Sequence, residues 1–315
     1  MNKKILSAIL VIPILFGGCT KASNLYIETI KPSVDATSNN KQPTFEENIV
    51  VPQDNEEETN EKKEVKDESK EKFKTSKTDG SKISITEKSW FYQPKKDGTP
   101  SGEPPEILEL IKKYSAYYLG DTSKKVLYLT FDEGYENGYT SKILDTLKAN
   151  NVKAAFFVTT PYINANNDLI KRMVAEGHLV CNHSNNHPSM AQVALKDKTK
   201  FEQEFTVTEK AFEEVTGQKM PKFFRPPMGK YSELSLSYTK DLGYKTIFWS
   251  FAYKDWIPTE QPSIEKAKKV IMERTHNGGI VLLHAVSKTN TEIMDSILKE
   301  WKSKGFEFKT LNELP

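Results

Sequence analysis

Short apolar runs alternate with longer amphipathic stretches beyond residue 125. Seven runs predict strands, at 126–131, 154–159, 178–182, 222–225, 245–251, 279–284 and 306–308. The stretches between them predict helices, at about 139–150, 167–176, 199–216, 233–242, 263–275 and 292–304, with a shorter helix upstream at about 107–114. Strands that alternate with helices form parallel sheets, so this pattern predicts an α/β fold, either an open sheet or a closed barrel.

The first 18 residues have the pattern of an export signal. Lys3 and Lys4 precede the apolar run 5–16, which is too short to span a bilayer as a mature helix. Two glycines and Cys19 follow, and this arrangement is similar to a bacterial lipoprotein signal that is cleaved before a lipidated cysteine. The alternative is an ordinary secretory peptide. Either interpretation places the mature protein outside the cytoplasm, and the first one anchors it to the membrane through lipid.

Residues 19–85 are predicted to form a disordered, charged tether. Within it, 54–77 contain nine acidic residues and seven lysines but only two sizeable apolar side chains, Val65 and Phe73. Such a segment cannot bury enough apolar surface to offset its chain entropy. The aromatic run 90–92 marks the return of packable side chains, so the folded domain is predicted to span 86–315.

The overall charge argues against a nucleic-acid partner. The chain has 45 Lys and Arg residues against 43 Asp and Glu residues, a formal net charge of +2. Only three of the basic residues are arginines, Arg172, Arg225 and Arg274. An arginine at the end of a predicted strand is therefore a notable choice, because its planar guanidinium group pairs with carboxylates in ways that lysine does not.

Chemically versatile residues stand at the ends of five predicted strands. They are Asp132 and Glu133, His183, Arg225, Asp255 and His284. In a closed βα barrel the carboxyl ends of all strands open onto one mouth, where active sites lie. A structural protein has no reason to place so many reactive groups there, so the pattern predicts an enzyme.

His183 and His187 are four residues apart, which would place both rings on one side of a helical turn. Together with a carboxylate from the neighbouring loop, Glu133 or Asp132, this spacing suits a divalent metal such as Zn²⁺. An incidental or structural histidine pair is the alternative.

Two further pairings are predicted at the mouth. Asp132 completes an apolar strand and needs a partner, which Arg225 can supply through a bidentate ion pair; a plain structural salt bridge is the alternative. His284 ends the most hydrophobic strand, where it is either a core histidine or a general acid partnered by Asp255. Two other histidines are interpreted as structural: His178, which opens a predicted strand, and His276, which lies near the end of a predicted helix.

The chain resembles the polysaccharide deacetylase family, the NodB-homology group also known as carbohydrate esterase family four. Five short motifs carry the resemblance, in the family's order: TFDEG (130–134), HSNNH (183–187), RPPMG (225–229), KDW (254–256) and LLH (282–284). The flanking stretches 118–140 and 281–290 are similar to the branch that deacetylates N-acetylmuramic acid in peptidoglycan, which in spore formers produces the muramic δ-lactam of the cortex. The resemblance runs from about Trp90 to Pro315.

The resemblance implies a distorted (β/α) barrel of about seven parallel strands and a role for each motif residue. It implies that Asp132 is the catalytic base, which Arg225 orients, and that His284 is the catalytic acid, whose pKa Asp255 adjusts. It implies metal ligands in His183 and His187. Trp256 and Leu282 would form the walls of the acetyl pocket, and the backbone N–H of Met228 would donate to the oxyanion. Peptidoglycan glycan strands are the implied substrate, with a cell-wall amidase as a partner that acts first.

The sequence departs from the family at three positions. Glu133 stands where the family has a metal-binding Asp, Ala252 replaces the Asp that opens motif four, and Met228 replaces a common aromatic residue. Two alternatives to a muramic-acid deacetylase stay open, and the departures at Glu133 and Ala252 motivate the second of them. One is a deacetylase of N-acetylglucosamine polymers or acetylated xylan, and the other is a non-catalytic lipoprotein that binds the cell wall.

Overall fold

The computed structural model describes residues 75–78 and 81–315. The predicted signal peptide, Cys19 and most of the predicted tether lie outside the described residues. Within the described part, no helix combines the length and the apolar character that crossing a bilayer requires.

The described residues form twelve strands and nine α-helices. The strands are β1 (Thr75–Thr78), β2 (Ser81–Ser84), β3 (Lys88–Ser89), β4 (Ala116–Tyr117), β5 (Val126–Glu133), β6 (Ala155–Val158), β7 (Leu179–Asn182), β8 (Phe223–Phe224), β9 (Lys230–Tyr231), β10 (Lys245–Ile247), β11 (Gly279–His284) and β12 (Glu307–Phe308). The helices are α1 (Pro105–Lys113), α2 (Thr140–Ala149), α3 (Thr160–Ala165), α4 (Asn167–Ala175), α5 (Met190–Lys196), α6 (Lys198–Thr216), α7 (Glu233–Asp241), α8 (Ile264–Arg274) and α9 (Lys288–Ser303).

Seven strands form a parallel sheet in the order β11-β5-β6-β7-β8-β10-β4, and β12 pairs with the start of β5. The sheet curls until the chain that follows β10 reaches β11. There Phe251 pairs in parallel with Val281, and Leu119, just after β4, forms a bridge to Gly279. The predicted α/β fold is confirmed, and the curled sheet agrees with the distorted barrel that the resemblance implies.

All seven predicted strands and all seven predicted helices are present, with ends shifted by a few residues. The pattern missed the two-residue strands β3, β4 and β9 and the short helices α3 and α5. Elements of this length carry too few positions to display a period.

Alternating side chains of β5 face opposite sides of the sheet. Leu127, Leu129 and Phe131 pack into a cluster with apolar residues of α2 and α9, which places them on the outer face. Val126 and Tyr128 pack with side chains from the neighbouring strands, on the inner face. By the same alternation Asp132 continues the inner series and Glu133 the outer one.

The part of the predicted tether that the structure describes, 75–78 and 81–85, includes two strands. β1 and β2 pair as an antiparallel hairpin, and Ile83 is buried beside Leu234 of α7. The backbone N–H of Ser84 donates to Glu233 Oε2 at 3.0 Å. The apolar alternation of Ile83 and Ile85 is the strand pattern that the charge-based prediction overlooked.

Candidate active site

Asp132 and His284 lie side by side at the mouth of the barrel. β5 and β11 run parallel, and their register places His284 directly opposite Asp132. Both side chains are on the inner face, and each residue is only 5% exposed. The predicted convergence of these two strand ends is therefore present.

Arg225 is completely buried and holds Asp132 from the side of β8. Its Nη1 donates to Asp132 Oδ1 at 2.7 Å. Its Nε and Nη2 donate instead to the backbone oxygens of Ile247 and Phe248, at 3.1 and 3.4 Å. The guanidinium carbon lies 4.2 Å from the centre of the Phe157 ring. The ion pair thus exists, but it is not bidentate as predicted, because Nε and Nη2 donate to the last residue of β10 and to the residue after it.

His183 bridges Asp132 and the Arg225 backbone. Its Nε2 lies 3.6 Å from Asp132 Oδ2, and its Nδ1 lies 2.9 Å from the backbone oxygen of Arg225. The rings of His183 and His187 are 4.8 Å apart between centroids. The segment is not the helical turn considered from the sequence: Ser184 and His187 adopt φ of 70° and 57°, and the backbone N–H of His187 donates to Ser184 Oγ.

Glu133 does not join the two histidines in a metal site. Its side chain is buried on the outer face, where Thr140 Oγ1 donates to Oε1 at 3.4 Å. Burial, reinforced by the nearby Glu136, raises the pKa of Glu133 well above its ordinary value. Among the residues that the structure describes, no group of three or more His, Cys, Asp and Glu side chains could hold a metal ion. The predicted ligand set therefore does not fit a metal here.

Both carboxylate oxygens of Asp255 bond to His284. Oδ1 lies 2.6 Å from His284 Nδ1, and Oδ2 accepts the His284 backbone N–H at 2.9 Å. Asp255 is completely buried. This contact assigns the Nδ1 proton to the Asp255 bond, so Nε2 is the ring nitrogen suited to exchange a proton with a substrate.

Of the three residues predicted to contact substrate, Trp256 and Leu282 lie near His284. The Trp256 ring is 5.7 Å from the His284 ring, between centroids, and the residue is half-buried. Leu282, two positions before His284 and on the same face, is buried. Met228 has a φ of 57°, and because residues 226 and 227 are prolines, its N–H is the first backbone donor after Arg225.

The family model for polysaccharide deacetylase matches residues 119–247. The peptidoglycan-N-acetylmuramic acid deacetylase PdaA of Bacillus subtilis is 39% identical over 225 residues, which cover 71% of this chain and 84% of that protein. The chain belongs to the polysaccharide deacetylase family. The resemblance drawn from the five motifs is thereby confirmed.

Solved structures of family members agree with the fold. The structure of Bacillus subtilis PdaA, a family 4 carbohydrate esterase, has a TM-score of 0.71 at 38% identity and covers 74% of this chain and 98% of that chain. A family 4 carbohydrate esterase pseudoenzyme from Bacillus anthracis has a TM-score of 0.57 at 29% identity and covers 63% of this chain and 68% of that chain. The distorted barrel is therefore that of the family.

This family member also has an aromatic brace that the sequence interpretation missed. The Trp90 backbone N–H donates to the Gly229 oxygen at 2.8 Å, and its indole N–H donates to the Trp249 oxygen at 2.9 Å. The Tyr92 hydroxyl donates to the Ala252 oxygen and accepts its N–H, the latter at 2.6 Å. The brace thus fixes the loops of motifs three and four. The aromatic run was visible in the sequence, but nothing in it indicated where the run docks.

The two histidines interpreted as structural are held in the core. His178 Nδ1 accepts the Ala154 N–H at 3.1 Å, and burial lowers the pKa of His178 to about 4. His276 lies 2.8 Å from both the Arg274 oxygen and Ser250 Oγ. Both sets of bonds are the kind that a core histidine makes.

Proposed function

We propose that this protein hydrolyses the N-acetyl group of N-acetylmuramic acid residues in peptidoglycan. The observation that carries the proposal is the pairing of Asp132 with His284 at the mouth, one held by a cation and the other by an anion. Support for the substrate comes from the relative whose name specifies it, and from the flanking sequences that resemble the muramic branch.

The first step is attack of water on the acetyl carbonyl. Asp132 takes a proton from the water as its oxygen bonds to the carbonyl carbon, and Arg225 holds the carboxylate in position for this transfer. The carbonyl oxygen becomes an oxyanion, to which we assign the Met228 N–H as a donor. A single donor of this kind contributes about 3–4 kcal/mol to a transition state.

The second step breaks the carbon–nitrogen bond. The amine is too basic to leave as an anion, so protonated His284 donates the Nε2 proton to the nitrogen as the bond breaks. Acetate and the free sugar amine are released, and the proton on Asp132 returns to solvent or to His284. Asp255 stabilises the imidazolium form between these events.

We also propose that the deacetylated muramic amine serves formation of the δ-lactam of the spore cortex. Lactam closure needs the lactyl carboxyl group of the same sugar, which a peptide stem occupies. An amidase that removes the stem first is therefore the expected partner, and denuded glycan strands are the expected substrate.

We further propose that the protein works outside the cytoplasm, tethered to the membrane through lipid on Cys19. Radiolabelled palmitate should label the wild-type protein in cells, and Cys19→Ala should abolish the label and release the protein from the membrane fraction. Label retained in Cys19→Ala would contradict the assignment.

The proposed reaction is tested by mass spectrometry of peptidoglycan fragments treated with purified protein. Fragments with and without peptide stems are compared, and digestion then locates each new amine on muramic or glucosamine residues. The expected result is loss of acetyl from muramic residues, preferentially on stem-free strands, and none with Asp132→Asn. Amines confined to glucosamine would contradict the proposed substrate.

One observation favours a second candidate, a wall-binding protein without activity. Glu133 and Ala252 replace two family carboxylates, and a pseudoenzyme is among the similar structures. Binding of glycan by the wild-type protein without any release of acetate would select this alternative.

A further inference from the structure

Asn290 lies next to the proposed acid and has no role in the reaction described above. It is the last residue of the stretch 281–290 that resembles the muramic branch, and it lies in the first turn of α9. The residue is completely buried. Its backbone N–H donates to Ser287 Oγ at 3.0 Å, which fixes the start of the helix.

The Asn290 amide joins three groups around Asp255. Its Nδ2 donates to Asp255 Oδ2 at 2.6 Å and to the His284 backbone oxygen at 3.3 Å. Its Oδ1 accepts the hydroxyl of Tyr253. An amide is suited to this place because it donates and accepts at once, whereas a carboxylate could not donate to Asp255.

Tyr253 fixes which way the amide points. Burial, followed by the effect of nearby Asp255, raises the pKa of Tyr253 well above its ordinary value, so its hydroxyl keeps its proton. A hydroxyl that donates to Oδ1 leaves only Nδ2 facing Asp255. The order Tyr253, Asn290, Asp255, His284 is therefore a buried chain of hydrogen bonds that ends at the proposed acid.

We propose that Asn290 is a positioning residue that orients Asp255 and, through it, His284, and that Tyr253 sets the orientation of Asn290. This inference rests on the proposed function, because it assigns the residue to the step in which His284 protonates the leaving amine. Loss of Asn290 leaves Asp255 Oδ2 with one donor fewer and lets the carboxylate turn away from the ring.

A leaving group that needs no proton separates this role from a structural one. The amine of an acetylated sugar must be protonated, whereas 4-nitrophenolate leaves an aryl acetate unaided. Misfolding lowers both rates equally. A misplaced acid lowers the rate with the amide far more than the rate with the ester.

The experiment measures kcat and KM of Asn290→Ala, Asn290→Asp and Tyr253→Phe on stem-free muramic glycan and on 4-nitrophenyl acetate. The expected result for both Asn290 variants is a fall in kcat on the glycan of about 10²-fold at nearly unchanged KM, with a loss at least about tenfold smaller on the ester. Tyr253→Phe should show the same selectivity with a smaller loss.

Asn150→Ala is the matched control, because Asn150 also donates to an aspartate, Asp295, at 2.9 Å but lies where α2 meets α9. It should retain wild-type kcat on both substrates. Equal losses on glycan and ester, or no loss in either Asn290 variant, would overturn the role of Asn290. Failure of the wild-type protein to release acetate from either muramic or glucosamine glycan would instead overturn the proposed function.

Discussion

Asp132 and His284 occupy directly paired positions on two adjacent parallel strands, although 151 intervening residues separate them along the chain. Each is supported by a group of opposite charge, Asp132 by Arg225 and His284 by Asp255. The two supports are opposite in charge, with a guanidinium group beside the carboxylate and a carboxylate beside the imidazole. In the proposed reaction, proton removal from water and proton delivery to the amine therefore fall to separate residues.

Asp132→Asn should abolish deacetylation, with a fall in kcat of at least about 10³-fold, because an amide cannot accept the proton from water. It should also lower the free energy of unfolding by about 3 kcal/mol, since the buried Arg225 loses its counter-charge. Acetate release and urea denaturation measure the two effects.

The double variant Asp132→Asn/Arg225→Met is the control for this prediction. Removing the buried charge as well should restore much of the unfolding free energy but none of the activity. Activity of Asp132→Asn within about tenfold of wild type would remove Asp132 from the mechanism.

The metal prediction is tested on the two histidines. Because Glu133 does not join His183 and His187, purified protein should contain little zinc or related metal by elemental analysis, and chelator treatment followed by dialysis should leave kcat unchanged. Stoichiometric metal in the wild-type protein, lost together with kcat in His183→Ala, would show that the two histidines do bind a metal.

Glu103 should make stability depend on pH. Burial raises the pKa of Glu103 from 4.5 to about 7. The folded state therefore holds a proton that the unfolded state releases, so the contribution of Glu103 to stability is lost as pH rises from about 4.5 to about 7. Glu103 is only half-buried, and with solvent screening the loss is on the order of 1 kcal/mol.

Glu103→Gln should accordingly be more stable than wild type near pH 8 and similar to it near pH 4.5, as measured by urea denaturation. The exposed neighbour Glu106 provides the control for replacing a glutamate in this segment, and Glu106→Gln should change the free energy of unfolding by less than about 0.5 kcal/mol. Parallel profiles for wild type and Glu103→Gln would be inconsistent with the raised pKa.

Trp90 should contribute strongly to the free energy of unfolding, because it joins the two loops at the mouth. Trp90→Ala removes a ring that stacks on Phe248 at 4.3 Å between centroids, and should cost about 3–5 kcal/mol of unfolding free energy. Trp90→Phe retains an aromatic ring but loses the bond to the Trp249 oxygen, and should cost about 1–2 kcal/mol.

The adjacent residue Phe91 is 44% exposed, so Phe91→Ala should change stability by less than about 0.5 kcal/mol. Calorimetric unfolding of the three variants makes the comparison. Equal effects of Trp90→Ala and Phe91→Ala would show that the brace does not stabilise the fold.

The strand order along the chain and the convergence of polar strand ends could be predicted, because apolar runs with a polar last residue are visible in one sequence. The side on which Glu133 lies could also have been predicted. Consecutive strand residues face opposite sides, so Asp132 and Glu133 could not both point into the mouth unless the strand ended before them. Because β5 continues through Glu133, the two carboxyls separate.

Contacts made across long sequence separations could not be predicted. Tyr92 bonds to the backbone of Ala252, and Asn290 reaches Asp255 only because α9 begins beside the end of β11. Neither residue belongs to a periodic pattern. In the sequence alone, an asparagine near the start of a helix, such as Asn290, is most simply interpreted as a capping residue. Their positions follow from how the sheet closes.

The pairing between β5 and β11 also limits how far the chain can be truncated without loss of activity. A truncation to residues 119–247, the segment that matches the family, would keep Asp132 and Arg225 but discard Asp255 and His284. It would also strip the partner from six consecutive positions of β5 and leave an apolar edge strand open to pairing with other chains. Such a fragment should aggregate, and half of the proposed chemistry would be missing even from its soluble fraction.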